Sequence, residues 1–196
     1  MSGITVGFAL TGSYCTYNQV FPVVEELQHR FGRVLPILSE HSAATDTRFG
    51  KAADHCAALE RICGRSPITT IAAAEPIGPK KLLDILVIAP CTGNTLGKLA
   101  HGITDTCVTM AAKAHLRNGR PLVLAVSTND GLTTSLANLG TLSCRRHVYL
   151  VPFRQDDPFH KPASLVADMA SIPETVEAAL GGEQIQPVVL GPGCAR

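Results

Sequence analysis

The sequence lacks the features by which proteins that bind nucleic acids or cross membranes are recognised. Tryptophan is absent and only 5% of the 196 residues are aromatic, which leaves too few rings for a platform that stacks bases. The 17 Lys and Arg residues nearly balance the 16 Asp and Glu residues, so no basic block is available to neutralise phosphates. The apolar run from Ile85 to Ala89 is far shorter than the roughly 20 residues of a membrane-spanning helix. We therefore expect no nucleic-acid partner and no membrane partner.

Secretion signals and metal-binding cysteine pairs are also missing. Met1-Ser2-Gly3 leads directly into strand-like sequence, without the basic and apolar regions that begin a secretory signal. None of the seven cysteines forms a CxxC pair, and the spacing of Cys56 and Cys63 is not typical of zinc ligands. We expect a cytoplasmic protein with reduced thiols and no metal site.

Length and composition predict one folded domain. Hydrophobic residues make up 45% of the chain and charged residues 17%, which is enough apolar material for a core and too little charge for a disordered chain. The length lies within the roughly 100–200 residues of a single domain. We predict one flavoprotein-like α/β domain over residues 1–181 and a C-terminal tail over residues 182–196. Within this tail, residues 186–190 indicate a short edge strand, and the residues after it indicate a frayed end.

Short apolar segments alternate with segments of helical spacing along the chain. The pattern predicts strands at 4–10, 34–38, 68–72, 84–89, 122–126 and 147–151, and helices at 20–31, 49–63, 95–101, 105–116, 132–144 and 163–180. The uninterrupted apolar run at 84–89 is typical of a central parallel strand that is covered on both faces. Because alternating elements need crossover connections, we predict a three-layer Rossmann-like (flavodoxin-like) parallel sheet with helices on both faces.

Small polar residues follow several of the predicted strands. In a parallel sheet of this kind, ligands bind beyond the carboxyl ends of the strands, so these residues would share one edge. Together they predict a site for a phosphorylated, hydrogen-bonding cofactor. Ordinary helix capping is the alternative, since Thr16 and Gln19 resemble a capping box. The absence of GxGxxG and of Walker A spacing excludes the usual dinucleotide and ATP loops.

Several of these segments resemble the FMN-binding flavoprotein family, which includes cysteinyl decarboxylases and flavin prenyltransferases. The similarity covers about residues 4–152 and rests on Thr11-Gly12-Ser13, Ser39, the loop from Pro90 to Thr95, and Gly102-Ile103-Thr104-Asp105. It implies FMN as the cofactor and a homo-oligomeric assembly. The FMN-binding residues that it implies are Thr11, Gly12, Ser13, Ser39, Pro90, Thr92, Asn94, Thr95, Ser127 and Asn129.

The sequence departs from this family at the residues that catalyse the family's known reactions. Residues 75–83 contain no His, although the cysteinyl decarboxylases have a catalytic His before the central strand. Their Pro-x-Met-Asn segment is replaced by Ser127-Thr128-Asn129, in which only the Asn is kept. The Arg-Glu pair of the prenyltransferases is also absent. Neither of these two chemistries is therefore expected.

The C-terminal segments resemble a branch of the family that forms dipicolinate in spore-forming bacteria. The resemblance is carried by residues 151–153, 155–158, 161–162, 164–168 and 184–187. It implies an oxidoreductase subunit that helps to convert a tetrahydrodipicolinate-class precursor to pyridine-2,6-dicarboxylate during sporulation, in the cytoplasm of the mother cell. The implied partner is the A-type subunit of that enzyme, which would bind NAD(P). The alternatives are a stabilising subunit without catalysis or flavin, and an FMN-dependent decarboxylase of another small acid.

The polar stretch from Pro152 to Lys161 supplies the candidate catalytic residues. It follows a predicted strand end, so we interpret it as a lid or an inter-subunit contact, with a rigid surface turn as the alternative. His160 is the histidine best suited to acid–base chemistry, and Lys161 is a second weak candidate. Together with Arg145, Arg146 and Arg154, Lys161 could pair with a dicarboxylate, although a solvated helix end explains Arg145 and Arg146 better.

Overall fold

A seven-stranded sheet organises the protein in a computed structural model that describes residues 3–191. Its strands are β1 (Val6–Leu10), β2 (Val34–Leu38), β3 (Ile85–Cys91), β4 (Leu122–Thr128), β5 (Val148–Leu150), β6 (Phe153–Asp157) and β7 (Lys161–Ala167). Strands β2, β1, β3, β4 and β5 are adjacent in that order and parallel, which is the flavodoxin-like order. The predicted α/β fold class is therefore confirmed.

Beyond the predicted parallel sheet, β7 and β6 add an antiparallel extension that was not predicted. The beginning of β4 pairs with β5, whereas its end, at Ser127 and Thr128, pairs with β7. The sheet neighbour of β4 thus changes along the strand. This switch brings the hairpin formed by β6 and β7 beside the carboxyl ends of the parallel strands.

Eight α-helices occur within residues 3–191, and they flank the sheet. They are α1 (Tyr17–Phe31), α2 (Glu40–Ala44), α3 (Ala52–Cys63), α4 (Ile71–Ala74), α5 (Gly93–His101), α6 (Cys107–Leu116), α7 (Thr134–Ser143) and α8 (Ile172–Leu180). Gly32 and Gly102 end α1 and α5 in the left-handed region, at φ 77° and 72°, which glycine adopts without steric cost. None of the helices in this part of the chain has the length and apolar character needed to cross a bilayer.

The core lies between the sheet and these helices. Every residue of β1 and of β3 is buried, as expected for strands with a helical layer on each face. Helix α1 turns Val20, Val24 and Leu27 toward the sheet, each with no exposed surface. The apolar periodicity of the sequence therefore located the central strands and the first helix correctly.

The strand predicted at residues 68–72 is wrong. Only Ile68 bridges to Ile37 of β2, and helix α4 begins at Ile71. The Thr70 hydroxyl caps this helix by accepting a hydrogen bond from the Ala73 amide at 3.2 Å. Local capping therefore outweighs the weak β propensity of this Ala-rich segment. The short helix α2 was not predicted, and α3 begins three residues later than expected.

The helix predicted over residues 163–180 is also wrong in its first half. Residues Lys161–Ala167 form β7, because burial of Leu165 and Ala167 alternates with partial exposure of Val166, which is the period of a strand. Helix α8 begins at Ile172, and Pro173 occupies its first turn, where the missing proline N–H costs nothing. The stretch from Pro152 to Lys161 is therefore a strand and a hairpin turn.

The C-terminal tail is held against the outer strands. The side chain of Gln184 accepts from the Leu150 amide and donates to the Leu150 carbonyl, both at 2.7 Å. Of the predicted edge strand at 186–190, the structure contains one parallel bridge, between Val189 and Phe153. The end predicted to be frayed lies, from residue 192 onward, outside the described residues.

Candidate functional site

A cavity of about 770 Å³ opens at the carboxyl ends of the central strands. Its size falls within the roughly 300–1,000 Å³ typical of ligand pockets. One wall is the loop after β1, another is the end of β4, and a third is the β6–β7 hairpin. Its lining residues are Gly12 to Thr16, Gln19, Arg48, Phe49, Thr92, Ser127 to Asn129, Arg154, Asp156, Lys161 and Ser164 to Asp168.

Thr11 joins the loop after β1 to the loop after β3 from beneath the cavity. Its side chain is 3% exposed, and its hydroxyl donates to the Pro90 carbonyl at 2.6 Å. The same oxygen accepts from the Thr92 amide at 3.2 Å. Thr11 and Pro90 therefore hold the two loops in register and do not themselves line the cavity.

Ser13 and Ser127 bring the ends of β1 and β4 together. Their hydroxyl oxygens lie 2.7 Å apart, and both residues line the cavity. Asn129 lines it as well and is exposed. Three of the residues proposed from sequence to bind a cofactor thus line the same cavity.

The loop after β1 presents backbone amides that could bind an anion. Within residues 3–191, the amides of Gly12, Tyr14 and Cys15 donate to no backbone carbonyl, whereas the Ser13 amide donates to Thr11. Helix α1 follows immediately, so the positive end of its dipole points toward the same loop. Free amides at a helix start are the usual cradle for a phosphate.

The capping box considered for this loop is not present. Thr16 precedes α1, but its side chain accepts no capping hydrogen bond. Its hydroxyl donates to the Ser13 carbonyl at 2.9 Å, which fixes the turn. The amides in the first turn of α1 therefore receive no side-chain cap from Thr16.

The loop after β3 contributes one side chain to the cavity. Thr92 lines it and caps α5, since its hydroxyl oxygen lies 3.3 Å from the Thr95 amide that donates to it. Thr95 is buried behind it, with 3.0 Å between the two hydroxyls. Asn94 is exposed in the first turn of α5 and does not line the cavity of this chain.

Ser39, which follows β2, has a structural role in this fold. Its hydroxyl accepts from the Ser42 amide at 3.3 Å and donates to the Ser42 hydroxyl at 2.8 Å. It therefore caps α2, and it lies outside the cavity lining. Capping explains this residue, whereas it does not explain the loop after β1.

Asp130 positions two of the loops, a role that sequence reasoning missed. Its carboxylate accepts from the Ser135 hydroxyl at 2.9 Å and from the Thr128 hydroxyl. A Cβ on Gly93 would lie 2.5 Å from the Asp130 Oδ1 atom. The close packing of Gly93 on this carboxylate locks the start of α5 against the start of α7. An Asp shortly before a helix, opposite a glycine loop, was the available signal.

The two candidate catalytic residues are neighbours in the chain but differ in placement, since His160 ends the hairpin turn and Lys161 begins β7. Lys161 lines the cavity and pairs with Asp156 at 2.9 Å, and this carboxylate raises the pKa of Lys161. His160 pairs with Asp157 at 2.9 Å with 84% of its side chain exposed, and it does not line the cavity. Only Lys161 is placed where a ligand could reach it.

The arginines near the last strands also separate into two groups. Arg145 donates to the carbonyls of Leu99 and Ala100 at 3.1 and 2.6 Å, so it caps the end of α5. Arg146 is exposed and lies outside the cavity. Arg154 lines the cavity from β6, and Arg48, from the loop before α3, lines it as well. Sequence reasoning did not single out Arg48 or its neighbour Phe49, because the loop that carries them has no motif.

Three of the six thiols in the described part of the chain are buried, and the described residues form no metal cluster. Burial raises the pKa of Cys63 to about 11 and that of Cys107 to about 12, so both remain protonated near neutral pH. Cys15 is exposed and lines the cavity. Within residues 3–191, no three His, Cys, Asp or Glu side chains are grouped as metal ligands would be.

Comparison with known proteins identifies relatives along nearly the whole chain. The Flavoprotein family model matches residues 1–165. The B-type subunit of dipicolinate synthase from Bacillus subtilis (strain 168) is 47% identical over 190 residues, which cover 97% of this chain and 95% of the relative. The crystal structure of the B-type subunit of dipicolinate synthase from Bacillus halodurans is 45% identical with a TM-score of 0.89, and 97% of each chain is covered.

More distant structures share the fold. Burkholderia xenovorans DmrB in complex with FMN, described as a cubic protein cage for redox transfer, is 19% identical with a TM-score of 0.67. The alignment covers 91% of this chain and 96% of that chain. At this identity the likeness concerns the fold alone. Because the family model matches most of the chain and the Bacillus subtilis relative is 47% identical over nearly its whole length, the chain belongs to the flavoprotein family.

Proposed function

We propose that this chain serves as the B-type subunit of a dipicolinate synthase. In this function it takes part in converting a tetrahydrodipicolinate-class precursor to pyridine-2,6-dicarboxylate, with the A-type subunit as its partner. The observation that carries the proposal is the 47% identity to the B-type subunit of a dipicolinate synthase, which extends over 97% of the chain. It therefore includes the β6–β7 hairpin, which reaches beyond the residues matched by the family model.

FMN is the cofactor that we propose for the cavity. The free amides of Gly12, Tyr14 and Cys15 suit its phosphate, because they lie at the positive end of α1. The hydroxyls of Ser13 and Thr92 line the same cavity and would bind the ribityl chain or the polar edge of the ring. When bound, FMN supplies reversible two-electron transfer.

We assign supporting roles to residues that hold or line the walls of the cavity. Thr11 and Asp130 hold the loops in place through their hydrogen bonds, so the ligand-binding hydroxyls are preorganised. The β6–β7 hairpin covers one side of the cavity, which limits the access of water to a bound ligand. The ammonium of Lys161 neutralises Asp156, with which it pairs at 2.9 Å, and so keeps this wall from repelling an acidic substrate.

The assembly that we propose contains more than this chain. The A-type subunit would bind NAD(P) and carry the hydride equivalents of the reaction, in the mother-cell cytoplasm of a sporulating bacterium. We also propose a homo-oligomer, because Burkholderia xenovorans DmrB, which shares the fold, is described as a cubic cage. Light scattering should then give a mass well above the 20.7 kDa of one chain.

Reconstitution from separate subunits tests the proposed function. Each of the two proteins is assayed alone and in an equimolar mixture, with the precursor and NADP⁺, and pyridine-2,6-dicarboxylate is measured by chromatography. We expect product from the mixture at a rate that neither protein reaches alone. A mixture no faster than the A-type subunit by itself would overturn a catalytic role. If product formation depends on this chain but FMN does not bind, the stabilising alternative is favoured. Decarboxylation of another acid by this chain alone would favour the decarboxylase alternative.

A further inference from the structure

A row of three side chains crosses the sheet extension on the cavity side. Ser127 of β4 is paired with Val166 of β7, and Val166 is paired with Arg154 of β6. Directly paired residues of neighbouring antiparallel strands project to the same face of a sheet. All three residues line the cavity, so this row forms part of the cavity wall.

The row changes in character from one end to the other. Ser127 provides a hydroxyl that lies 2.7 Å from that of Ser13. Val166 provides an apolar surface in the middle, and Arg154 provides a guanidinium at the far end. Two strand spacings separate the ends by about 10 Å, which is the scale of a substituted six-membered ring.

The Arg154 guanidinium is unpaired among the described residues. Within residues 3–191, no carboxylate forms an ion pair with Arg154, and its guanidinium makes no hydrogen bond. The neighbouring cation, Lys161, is already paired with Asp156 at 2.9 Å. The carboxylate of Asp168, which also lines the cavity, accepts from the Ser171 hydroxyl at 2.7 Å. A free guanidinium in a pocket wall is suited to bidentate binding of a carboxylate.

We propose that Ser127, Val166 and Arg154 form the subsite for the ring of the acidic substrate, with Arg154 binding one ring carboxylate. This inference rests on the proposed function for the identity of the ring, and it assigns Arg154 as the residue that selects a carboxylate. Val166 packs against the ring face. The Ser13–Ser127 end of the row lies toward the amides proposed for the FMN phosphate, so ring and cofactor share the cavity.

Isothermal titration with two matched ligands tests the subsite. The probes are pyridine-2,6-dicarboxylate and its neutral isostere, pyridine-2,6-dicarboxamide, titrated into the purified full-length chain. We expect the wild type to prefer the dicarboxylate by about tenfold or more, because a bidentate charged pair is lost with the amide. Arg154→Gln should remove most of this preference. Arg154→Lys should keep part of it, since an ammonium binds as a point charge.

Controls separate the possible outcomes. Arg146→Gln, at an exposed arginine outside the cavity, should keep the wild-type preference, and thermal unfolding should show that all variants are folded. Equal preference in Arg154→Gln and wild type would overturn the subsite. So would a loss of FMN affinity in Arg154→Gln without a change in dicarboxylate affinity, because Arg154 would then serve the cofactor. Product formation by the mixture of the two subunits reports on the proposed function independently of these titrations.

Discussion

The hydroxyl oxygens of Ser13 and Ser127 lie 2.7 Å apart, although the two residues are 114 positions apart in the chain. This contact joins the loop after β1 to the end of β4. From Ser127 onward, β4 pairs with β7 of the antiparallel hairpin and no longer with the parallel strand β5. The proposed anion cradle and the proposed substrate subsite therefore meet at one pair of hydroxyl groups.

A negative charge at position 13 should weaken FMN binding. Ser13→Asp places a carboxylate beside the free amides of Gly12 and Tyr14, where it would repel the phosphate and compete for the amides. We expect the FMN dissociation constant to rise by about tenfold or more. Fluorescence titration measures it, and Ser143→Asp, at an exposed position of α7, is the control. An unchanged affinity in Ser13→Asp would remove this loop from the cofactor site.

The close approach of Gly93 to Asp130 should make a small substitution costly. In Gly93→Ala, the new Cβ would lie 2.5 Å from Asp130 Oδ1 and 2.6 Å from the Ser135 hydroxyl. We expect the free energy of unfolding to fall by about 1–3 kcal/mol. In the same helix, Gly97→Ala meets its first neighbour at 3.5 Å, and it should be neutral or stabilising by up to about 1 kcal/mol. Chemical denaturation compares the two, and equal stabilities would contradict the packing described.

Stability should decrease between pH 6.5 and pH 4 because of His115. Burial lowers the pKa of His115 from 6.5 to about 4, and its Nε2 atom lies 2.9 Å from the Pro121 carbonyl oxygen. In this window the unfolded chain binds a proton that the folded chain does not. The free energy of unfolding therefore decreases as the pH is lowered from 6.5 to 4, by up to about 3 kcal/mol.

Replacing this histidine should flatten the pH profile. In His115→Gln the midpoint of urea unfolding should change less between pH 6.5 and pH 4 than in the wild type. Part of the slope should remain, because burial also lowers the pKa of His55. His29→Gln, at an exposed position of α1, should leave the wild-type slope intact. A slope in His115→Gln that matches the wild type would contradict the assignment.

Lys161 should influence substrate binding through Asp156, with which it forms an ion pair in the cavity wall. Lys161→Ala leaves the Asp156 carboxylate unpaired, and its charge would repel an acidic substrate. We expect the KM of the reconstituted enzyme to rise about two- to fivefold, the scale of an exposed ion pair. The double variant Lys161→Ala/Asp156→Asn should have a KM closer to that of the wild type, because the unpaired carboxylate is removed. His160→Ala should have wild-type kinetics, because His160 lies outside the cavity. If His160→Ala raised KM or lowered kcat while Lys161→Ala did not, His160 and not Lys161 would contact the substrate.

The sequence predicted the strands that are buried on both faces, because their apolar runs depend on burial alone. It failed at residues 161–167, where a short alternating segment followed by a helix gives the same composition as one longer helix. Pairing with Thr128 and Ser127 of β4 decides this segment, and such long-range pairing leaves no local signal. The sequence did indicate the loop after β1 and named Arg154 as a possible partner of a dicarboxylate, but only the pairing of β6 with β7 places Arg154 in the same cavity wall.

Titration of FMN into the purified chain, followed by flavin fluorescence, tests directly whether this cavity anchors a flavin through its phosphate. We expect saturable binding of one FMN per chain, with a dissociation constant below about 100 µM, and weaker binding in Ser13→Asp. Riboflavin, which lacks the phosphate, should bind more weakly than FMN if the free amides of the β1 loop hold that group. No binding at about 100 µM FMN, or equal affinity for riboflavin and FMN, would contradict a phosphate-anchored flavin in this cavity.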